Sequence, residues 1–492
     1  MKIDRNIFII ILLLVSLSSC DKWLDVSPKN QVTDEELFKN GEGFRNALNG
    51  VYEMLSSQEL YGRELSWGFL SVLAQTYDDN DIEQAYSGLV KYQYGLTGNK
   101  EIISTIWSKS YKAIANCNKL ISEIEGKKGS FFELGDAEKN LIMGEAYALR
   151  AFIHFDLLRL FAPAPVTGDG GSYIPYFNVY PSKFEGKKTV SQIMELVIQD
   201  FLTAKDLVAS YDTVYNKWYM ASPEARLQVS DAAEGGRFFT LRGGRMNYMA
   251  IQGLLARAYM YAGDLTNAEK YCRGILTRYV SDEGGEDMID FTEKNFVSTV
   301  DKKFYVKYWN DIIFALYDDH LLEKIADFKT STKASMYVKD WDAMFTGRND
   351  GLDYRAYQRQ PIPGSSNVVT KKWLDLDTDE QLVHAQEPLI PVLRLSEIYY
   401  ILSECLVAKE ATKAEGVAYM NKVRAKRGAL REISADNYTD ELIWEGKKEY
   451  LAEGQAFFLF KRLNRPIVSG TQIIQMDKSK FVLPVPENEN IY

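Results

Sequence analysis

Two stretches, Arg245–Tyr279 and Leu395–Arg427, repeat one design and leave the chain few folds to adopt. In the first, Leu254, Leu255, Ala258 and Tyr259 share a helical face. Gly263-Asp264 interrupts it, and Ala268, Tyr271, Cys272 and Ile275 share the face of a second helix. Ala256, Ala258, Ala262 and Ala268 stand between the large residues and let the two helices come close. The second stretch places Leu395, Ile398, Leu402 and Cys405 on one helix and Val417, Met420 and Val423 on the next. A two-helix unit cannot bury its apolar face alone, so such units stack on one another. The spacing predicts an all-α fold of tetratricopeptide-like helical repeats forming a curved scaffold.

Further helices are expected around Phe44–Leu55, Ile102–Ile124, Leu141–Leu160 and Thr189–Val208. Thr33 reads as an N-cap, with Glu36 closing a capping box. Phe161-Ala162-Pro163-Ala164-Pro165 stops the Leu141–Leu160 helix, because proline cannot continue one. Between the repeats, residues 280–390 change character. Helical periodicity fades, and Trp309, Tyr317, Trp341, Tyr354, Tyr357 and Trp373 fall among turn residues. Aromatic side chains on long loops carried by a rigid scaffold commonly present a ligand surface; the other reading is that they staple the loops to the helices. The expected organisation is a single domain over 20–492. It comprises an N-terminal helical part (20–279), a loop-rich, ligand-facing insertion (280–390), and C-terminal repeat helices with a tail (391–492).

The first residues carry an address. Lys2 and Arg5 precede Ile7–Leu17, an 11-residue, largely apolar run that ends in Ser18-Ser19-Cys20. A span of the hydrocarbon core needs roughly 20 residues, so 1–19 reads as a cleaved signal. Leu17-Ser18-Ser19-Cys20 fits a lipobox, in which a diglyceride is attached to the cysteine and cleavage occurs just before it. Two or more acyl chains make such anchoring stable. The mature protein is expected to be tethered to a membrane by Cys20. Cys117, Cys272 and Cys405 then remain, far apart and each in a helical pattern, which favours buried free thiols over a disulfide framework.

Charge and motifs narrow the chemistry. The formal net charge is −10, and removing Lys2, Asp4 and Arg5 (net +1) with the signal leaves −11. An acidic chain with no basic block lacks the footprint of a nucleic-acid binder. Three histidines (His154, His320, His384) stand at no metal-ligand spacing, and no phosphate-binding glycine loop is present. Asp375, Asp377 and Asp379 match positions 1, 3 and 5 of a calcium loop. However, Glu380 replaces its turn glycine and Gln386 its bidentate glutamate. Calcium is the one cofactor the spacing leaves open. Glu441, Glu445, Glu449 and Glu453 recur every four residues, with Lys447 and Lys448 among them. Paired carboxylates could hydrolyse a glycoside, but this spacing on a helix reads first as a surface or ion-pair stripe. Tyr77-Asp78-Asp79-Asn80-Asp81 either presents polar groups to a ligand or is a solvated cap.

Taken in order, these segments resemble the SusD/RagB family of outer-membrane nutrient-binding lipoproteins of Bacteroidetes. Cys20 followed by Trp23-Leu24-Asp25-Val26-Ser27-Pro28 is similar to the family's start, and Leu48-Asn49-Gly50-Val51-Tyr52 to its first helix. Glu145-Ala146-Tyr147-Ala148-Leu149-Arg150-Ala151-Phe152 leads to the proline block, and Asp200-Phe201 lies in the helix after it. Arg394-Leu395-Ser396-Glu397, Asn421-Lys422-Val423-Arg424, Glu453-Gly454 and Leu483-Pro484-Val485-Pro486 follow in the family's order. Gly446, Ala456 and Leu459 depart from it, which puts a C-terminal ion pair in doubt. The resemblance implies a non-catalytic, surface-exposed binder, lipid-anchored at the cell outer membrane. Such a protein captures oligosaccharide for a SusC-type TonB-dependent transporter. Peptide capture by the same kind of system is the alternative, and an α-helical glycoside hydrolase a more distant one. It also points to two regions for the ligand, and hence to Trp67, Tyr77 and Trp309; loop composition adds Trp341. Asp78 and Asn310 are the expected polar partners.

Overall fold

The computed structural model describes residues 33–79, 82–229, 236–297, 305–329, 336–348, 350, 352–374 and 381–489. Side chains of 326–329 and 381–383 are outside that description. Cys20 and the aspartates at 375, 377 and 379 lie outside the described residues, as do Asn80 and Asp81.

Among the described residues, eight helices form the scaffold. They are α1 (Gly41–Ser56), α2 (Thr97–Glu125), α3 (Gly135–Phe161), α4 (Val190–Ser210), α5 (Tyr248–Ala262), α6 (Leu265–Tyr279), α7 (Leu395–Val407) and α8 (Lys413–Lys426). Each packs on the next in chain order, α6 reaching α7 across the long intervening segment. This nearest-neighbour stacking is what two-helix repeats require, and the fold is the mostly helical one expected. The caps explain the boundaries. Asn40 caps α1 by accepting from the Gly43 amide, and Thr189 forms a full capping box with Gln192 at α4. Gly263 takes φ +85°, a left-handed turn that glycine adopts without strain, and the Asp264 side chain then caps α6. At Thr33 half of the expected box forms: its hydroxyl accepts from the Glu36 amide, and the helix runs only from Asp34 to Leu37.

Cys117, Cys272 and Cys405 are free and buried at helix contacts. His154 of α3 is also buried. Its Nδ1 donates to the Arg150 carbonyl and its Nε2 accepts from the Phe177 amide, while burial pushes the imidazole pKa down to about 3. A neutral ring stacked on Tyr176 is the result.

The described residues of 280–390 carry more regular structure than loop composition implies. Strands β1 (Ser172–Ile174) and β2 (Lys188–Thr189) precede them. Within or bordering them lie β3 (Ile312–Tyr317), β4 (Arg359–Pro361), β5 (Val368–Thr370) and β6 (Leu389–Arg394). β3 pairs antiparallel with β6, Ala315 opposite Pro391 and Leu316 opposite Ile390. A two-stranded sheet is all edge, so Pro391 is tolerated there. β4 and β5 form a hairpin.

Two later helices, α9 (Tyr438–Glu449) and α10 (Gln455–Arg462), close the fold. The carboxylate stripe of α9 faces inward, not toward solvent. Glu441, Glu445 and Glu449, together with Glu453 beyond the helix end, are buried and met by basic side chains from four other segments.

Candidate functional site

Of the expected ligand-binding residues, Trp67 and Tyr77 come together and the others do not. Trp67 lies in a run of turns between α1 and the short Phe69–Leu73 helix, where its Nε1 donates to the Gly62 carbonyl at 2.9 Å. The Tyr77 hydroxyl donates to the Trp67 carbonyl at 2.7 Å. Tyr77 also makes a bridge to Val338, and the Asp78 amide donates to the Tyr337 carbonyl at 2.8 Å. Val338 in turn donates to the Val368 carbonyl, so residues 336–339 lie between Tyr77 and the β4–β5 hairpin.

These elements border a half-open cleft of about 320 Å³. Trp67 and Trp373, ring centroids 6.4 Å apart and tilted by 37°, line it with Tyr77; these three side chains are themselves largely buried, 4 %, 5 % and 2 % exposed, and reach the cleft by their edges. One wall is aliphatic, from Ile325, Met336 and Leu374; the other is the hairpin, with Gln360, Pro361, Ile362, Pro363, Val369 and Thr370; Tyr337 completes the lining. The volume is at the lower end of the roughly 300–1,000 Å³ of small-molecule sites. Apart from tyrosine phenols, no ionisable side chain is among the described residues that line it. Burial pushes the Tyr77 phenol far above its ordinary value, so that group stays neutral across the physiological range.

Trp373 is legible in the sequence only as one loop aromatic among several. What sets it apart is its support. Its Nε1 donates to the Ala452 carbonyl at 3.1 Å, and Lys307 Nζ lies 4.9 Å from its ring centroid. The adjoining Lys372 donates to Glu453 at 2.6 Å. Lys307 Nζ itself donates to the Glu387 and Leu389 carbonyls, and burial pushes its pKa down to about 7.

Trp309 is a correction. It is 0 % exposed, packed in a small apolar cluster with Tyr305, Val306 and Ile312, and so offers no ring face to a ligand. Asn310 beside it donates its backbone amide to Thr292. Trp341 is buried against Phe345, at 5.3 Å, and does not line the cleft. Asp78 is half-buried next to Tyr77. Tyr354 does staple the loop region to the scaffold: it is buried, its hydroxyl 2.6 Å from the Thr292 carbonyl and 2.7 Å from the Lys426 carbonyl of α8.

The stripe carboxylates are equally committed. Burial alone would raise the Glu445 carboxyl, but Arg355, Lys448 and Arg424 overcome it and hold the pKa below the usual range. Arg427, Arg394 and Arg355 do the same for Glu449. Carboxylates kept ionised in this way cannot serve as the general acid of glycoside hydrolysis.

Comparison with known proteins agrees with the fold. A family profile described as "Starch-binding associating with outer membrane" matches residues 22–225, and that of the SusD family matches 236–466. SusD-like protein P2 of Formosa agariphila is 27 % identical over 92 % of this chain and 89 % of its own length. Against two further SusD-like proteins of that organism, P25 and P38, the chain spans 43 % of their length. A SusD superfamily protein of Bacteroides thetaiotaomicron superposes with a TM-score of 0.67 at 19 % identity, covering 92 % of this chain and 97 % of that one. A SusD-like carbohydrate binding protein of Bacteroides vulgatus gives 0.63 at 17 % identity, covering 92 % and 96 %. With two family profiles matching successive stretches between residues 22 and 466, and the same fold throughout, the chain belongs to the SusD/RagB family.

Proposed function

We propose that this protein is a glycan-binding lipoprotein that captures oligosaccharide in the Trp67–Trp373 cleft and delivers it to a SusC-type TonB-dependent transporter. One observation carries the reading: two indoles line a half-open cleft whose described lining residues include no ionisable side chain other than tyrosine. The C–H face of a pyranose packs on such a ring, and an apolar pocket with few polar groups is the usual form of a small-ligand site. The matched profile's description, starch-binding and associating with the outer membrane, supports the ligand class and the location. So does the carbohydrate-binding neighbour from Bacteroides vulgatus. No helix among the described residues is long and apolar enough to cross a membrane, and the lipid on Cys20 would supply the anchor. In this reading Trp67, Tyr77 and Trp373 are the contact residues and Asp78 a polar partner at the edge. The protein binds and does not cleave.

A glycan and peptide array probed with the protein lacking its signal, alongside Trp373→Ala and Trp67→Ala, tests this. Truncating a central aromatic contact costs about 2 kcal/mol, roughly thirtyfold in affinity. Binding of a glycan, lost by that factor in either variant and without release of reducing ends, is the expected result. Glycan affinity unchanged within about threefold in both variants would refute the site, since the loss expected is roughly ten times that. Capture of peptides alone would refute the ligand class.

A further inference from the structure

Many polar atoms of this cleft's described lining are already engaged, which constrains what sugar can enter it. The Trp67 and Trp373 indole N–H groups donate to Gly62 and Ala452 carbonyls, and the Tyr77 hydroxyl donates to the Trp67 carbonyl. Thr370 Oγ1 accepts from the Lys372 amide, and Gln360 Nε2 donates to the Pro361 carbonyl at 3.4 Å. The hairpin backbone is no freer. Gln360 pairs with Val369, the Ile362 amide donates to Asn367, and the Val368 carbonyl accepts from Val338. Pro361 and Pro363 have no N–H to offer. Among the described residues lining the cleft, that leaves the Tyr337 hydroxyl and Gln360 Oε1 as side-chain groups without a hydrogen bond of their own, with the Thr370 hydroxyl proton and the second Gln360 amide N–H as further donors. The rest of the described lining is largely hydrocarbon, from Ile325, Met336, Ile362, Val369 and Leu374.

An unmodified hexose bears a hydroxyl or a hydroxymethyl on nearly every ring carbon. Each hydroxyl taken from water without a partner costs about tenfold or more in affinity. A methyl group in the same place gains affinity by burial. Resting on the glycan-binding reading above, we propose that the sugar seated in this cleft carries methyl-bearing substituents, as O-acetyl or N-acetyl groups or a 6-deoxy carbon. The aliphatic wall would receive the methyl group, the indole edges the sugar ring, and Tyr337 with Gln360 the one or two hydroxyls that remain.

The test uses matched ligands and isothermal titration of the full-length protein in detergent. Acetylated xylo-oligosaccharides are compared with the same material after mild alkaline de-esterification, N-acetylchitotetraose with cellotetraose, and a rhamnose oligomer with a mannose oligomer. The expected result is about tenfold tighter binding, or more, of the methyl-bearing member in one or more pairs. That preference should shrink in Ile362→Gln, which places an amide on the aliphatic rim. Equal or tighter binding of the hydroxylated member in every pair overturns the inference and leaves the glycan-binding reading standing. Binding of none of these sugars also overturns the inference, and the array then decides the glycan-binding reading separately.

Discussion

Neutralising Glu449 should destabilise the fold more than any surface change, because its carboxylate stands at the centre of a buried charge cluster. It accepts from Arg355 Nη1 at 3.0 Å, from Arg427 Nη2 at 2.5 Å, and from Arg394. Each of those arginines has a second anion: Arg355 meets Asp353 and Glu445, Arg394 meets Glu453, and Arg427 meets Asp311. Arg424 extends the cluster through Glu445 and Asp350, Lys448 joins at Asp350, and Lys372 joins at Glu453. Six cations (Arg355, Lys372, Arg394, Arg424, Arg427, Lys448) thus face six carboxylates (Asp311, Asp350, Asp353, Glu445, Glu449, Glu453), and all of these side chains are buried. Arg431, partly exposed, adds a longer contact to Asp350 at 3.8 Å. Glu449→Gln keeps the shape but leaves one positive charge uncompensated, and turns an amide NH₂ toward guanidinium donors. Breaking a buried pair in this way costs about 3–5 kcal/mol. Urea unfolding, followed by circular dichroism and tryptophan fluorescence together, should show that loss. Acid adds a second signature. Glu445 and Glu449 titrate below the ordinary carboxylate range, so their stabilisation is complete above the unfolded value of about 4.3 and is lost as pH falls through the folded ones. The wild type should therefore lose stability steeply below about pH 4, and Glu449→Gln less steeply. A urea loss under about 1 kcal/mol, against the roughly 3–5 kcal/mol of a broken buried pair, would refute the mutual dependence of these charges.

Other expectations follow from single contacts. A Cβ on Gly446 would collide with Leu459 Cδ2. Gly446→Ala should therefore destabilise by about 1–3 kcal/mol, and Leu459→Ala in the same chain should recover part of it, as thermal unfolding of the single and double variants will show. Burial lowers the Lys307 pKa to about 7, whereas the unfolded chain holds that proton to about 10.4. Stability should rise with pH above about 7, where the unfolded chain binds the extra proton, and Lys307→Met should flatten that rise in urea midpoints. Cys20→Ala should release the protein from the outer-membrane fraction or leave its signal uncleaved; a mature-sized protein retained in that fraction would refute the lipid anchor. Deleting the protein should lower glycan uptake at limiting substrate, and it should co-purify with a large barrel in mild detergent; purification alone with unchanged uptake would refute delivery to a transporter.

The scaffold was legible because helix pairs write themselves locally. Small residues at Ala256, Ala258 and Ala268, a Gly263-Asp264 break and apolar spacing of three and four lie within a single stretch, and α5 and α6 follow them. The β3–β6 pair was not legible. Ile312–Tyr317 is almost wholly buried and so shows no alternation, and Pro391 sits in the middle of its partner. Periodicity marks half-buried strands, not fully buried ones. The spacing of the α9 stripe marks it as ion-paired without showing that it is buried. Its partners, Arg348, Arg355, Arg394, Arg424 and Arg427, come from distant positions. The cleft was legible at Trp67 and Tyr77 only. Trp309 and Trp373 both lie among turn residues, yet one fills an apolar cluster and the other lines the cleft. Nothing in their local sequence separates them.

The buried charges and the cleft are one construction. Trp373 hangs from the Ala452 carbonyl, and Lys372 beside it enters the charge cluster through Glu453. Arg394, at the end of β6, ties Glu449 and Glu453 together, so the segment beneath the indole is fixed from two directions. If the cleft binds ligand as proposed, a floor fixed in this way would lose little freedom on binding, and affinity would depend on the contacts made rather than on ordering the site. So many charges are expensive to bury for stability alone, since well-packed apolar residues often do as well. Their directional bonds, however, set the position of a ring, which apolar packing does less sharply. The rim is built differently: Ile362 and Pro363 sit at the turn of a two-stranded hairpin outside the cluster. Ring contact on a fixed floor and substituent recognition at a separate rim would let ligand preference change through the hairpin while the charged core stays as it is.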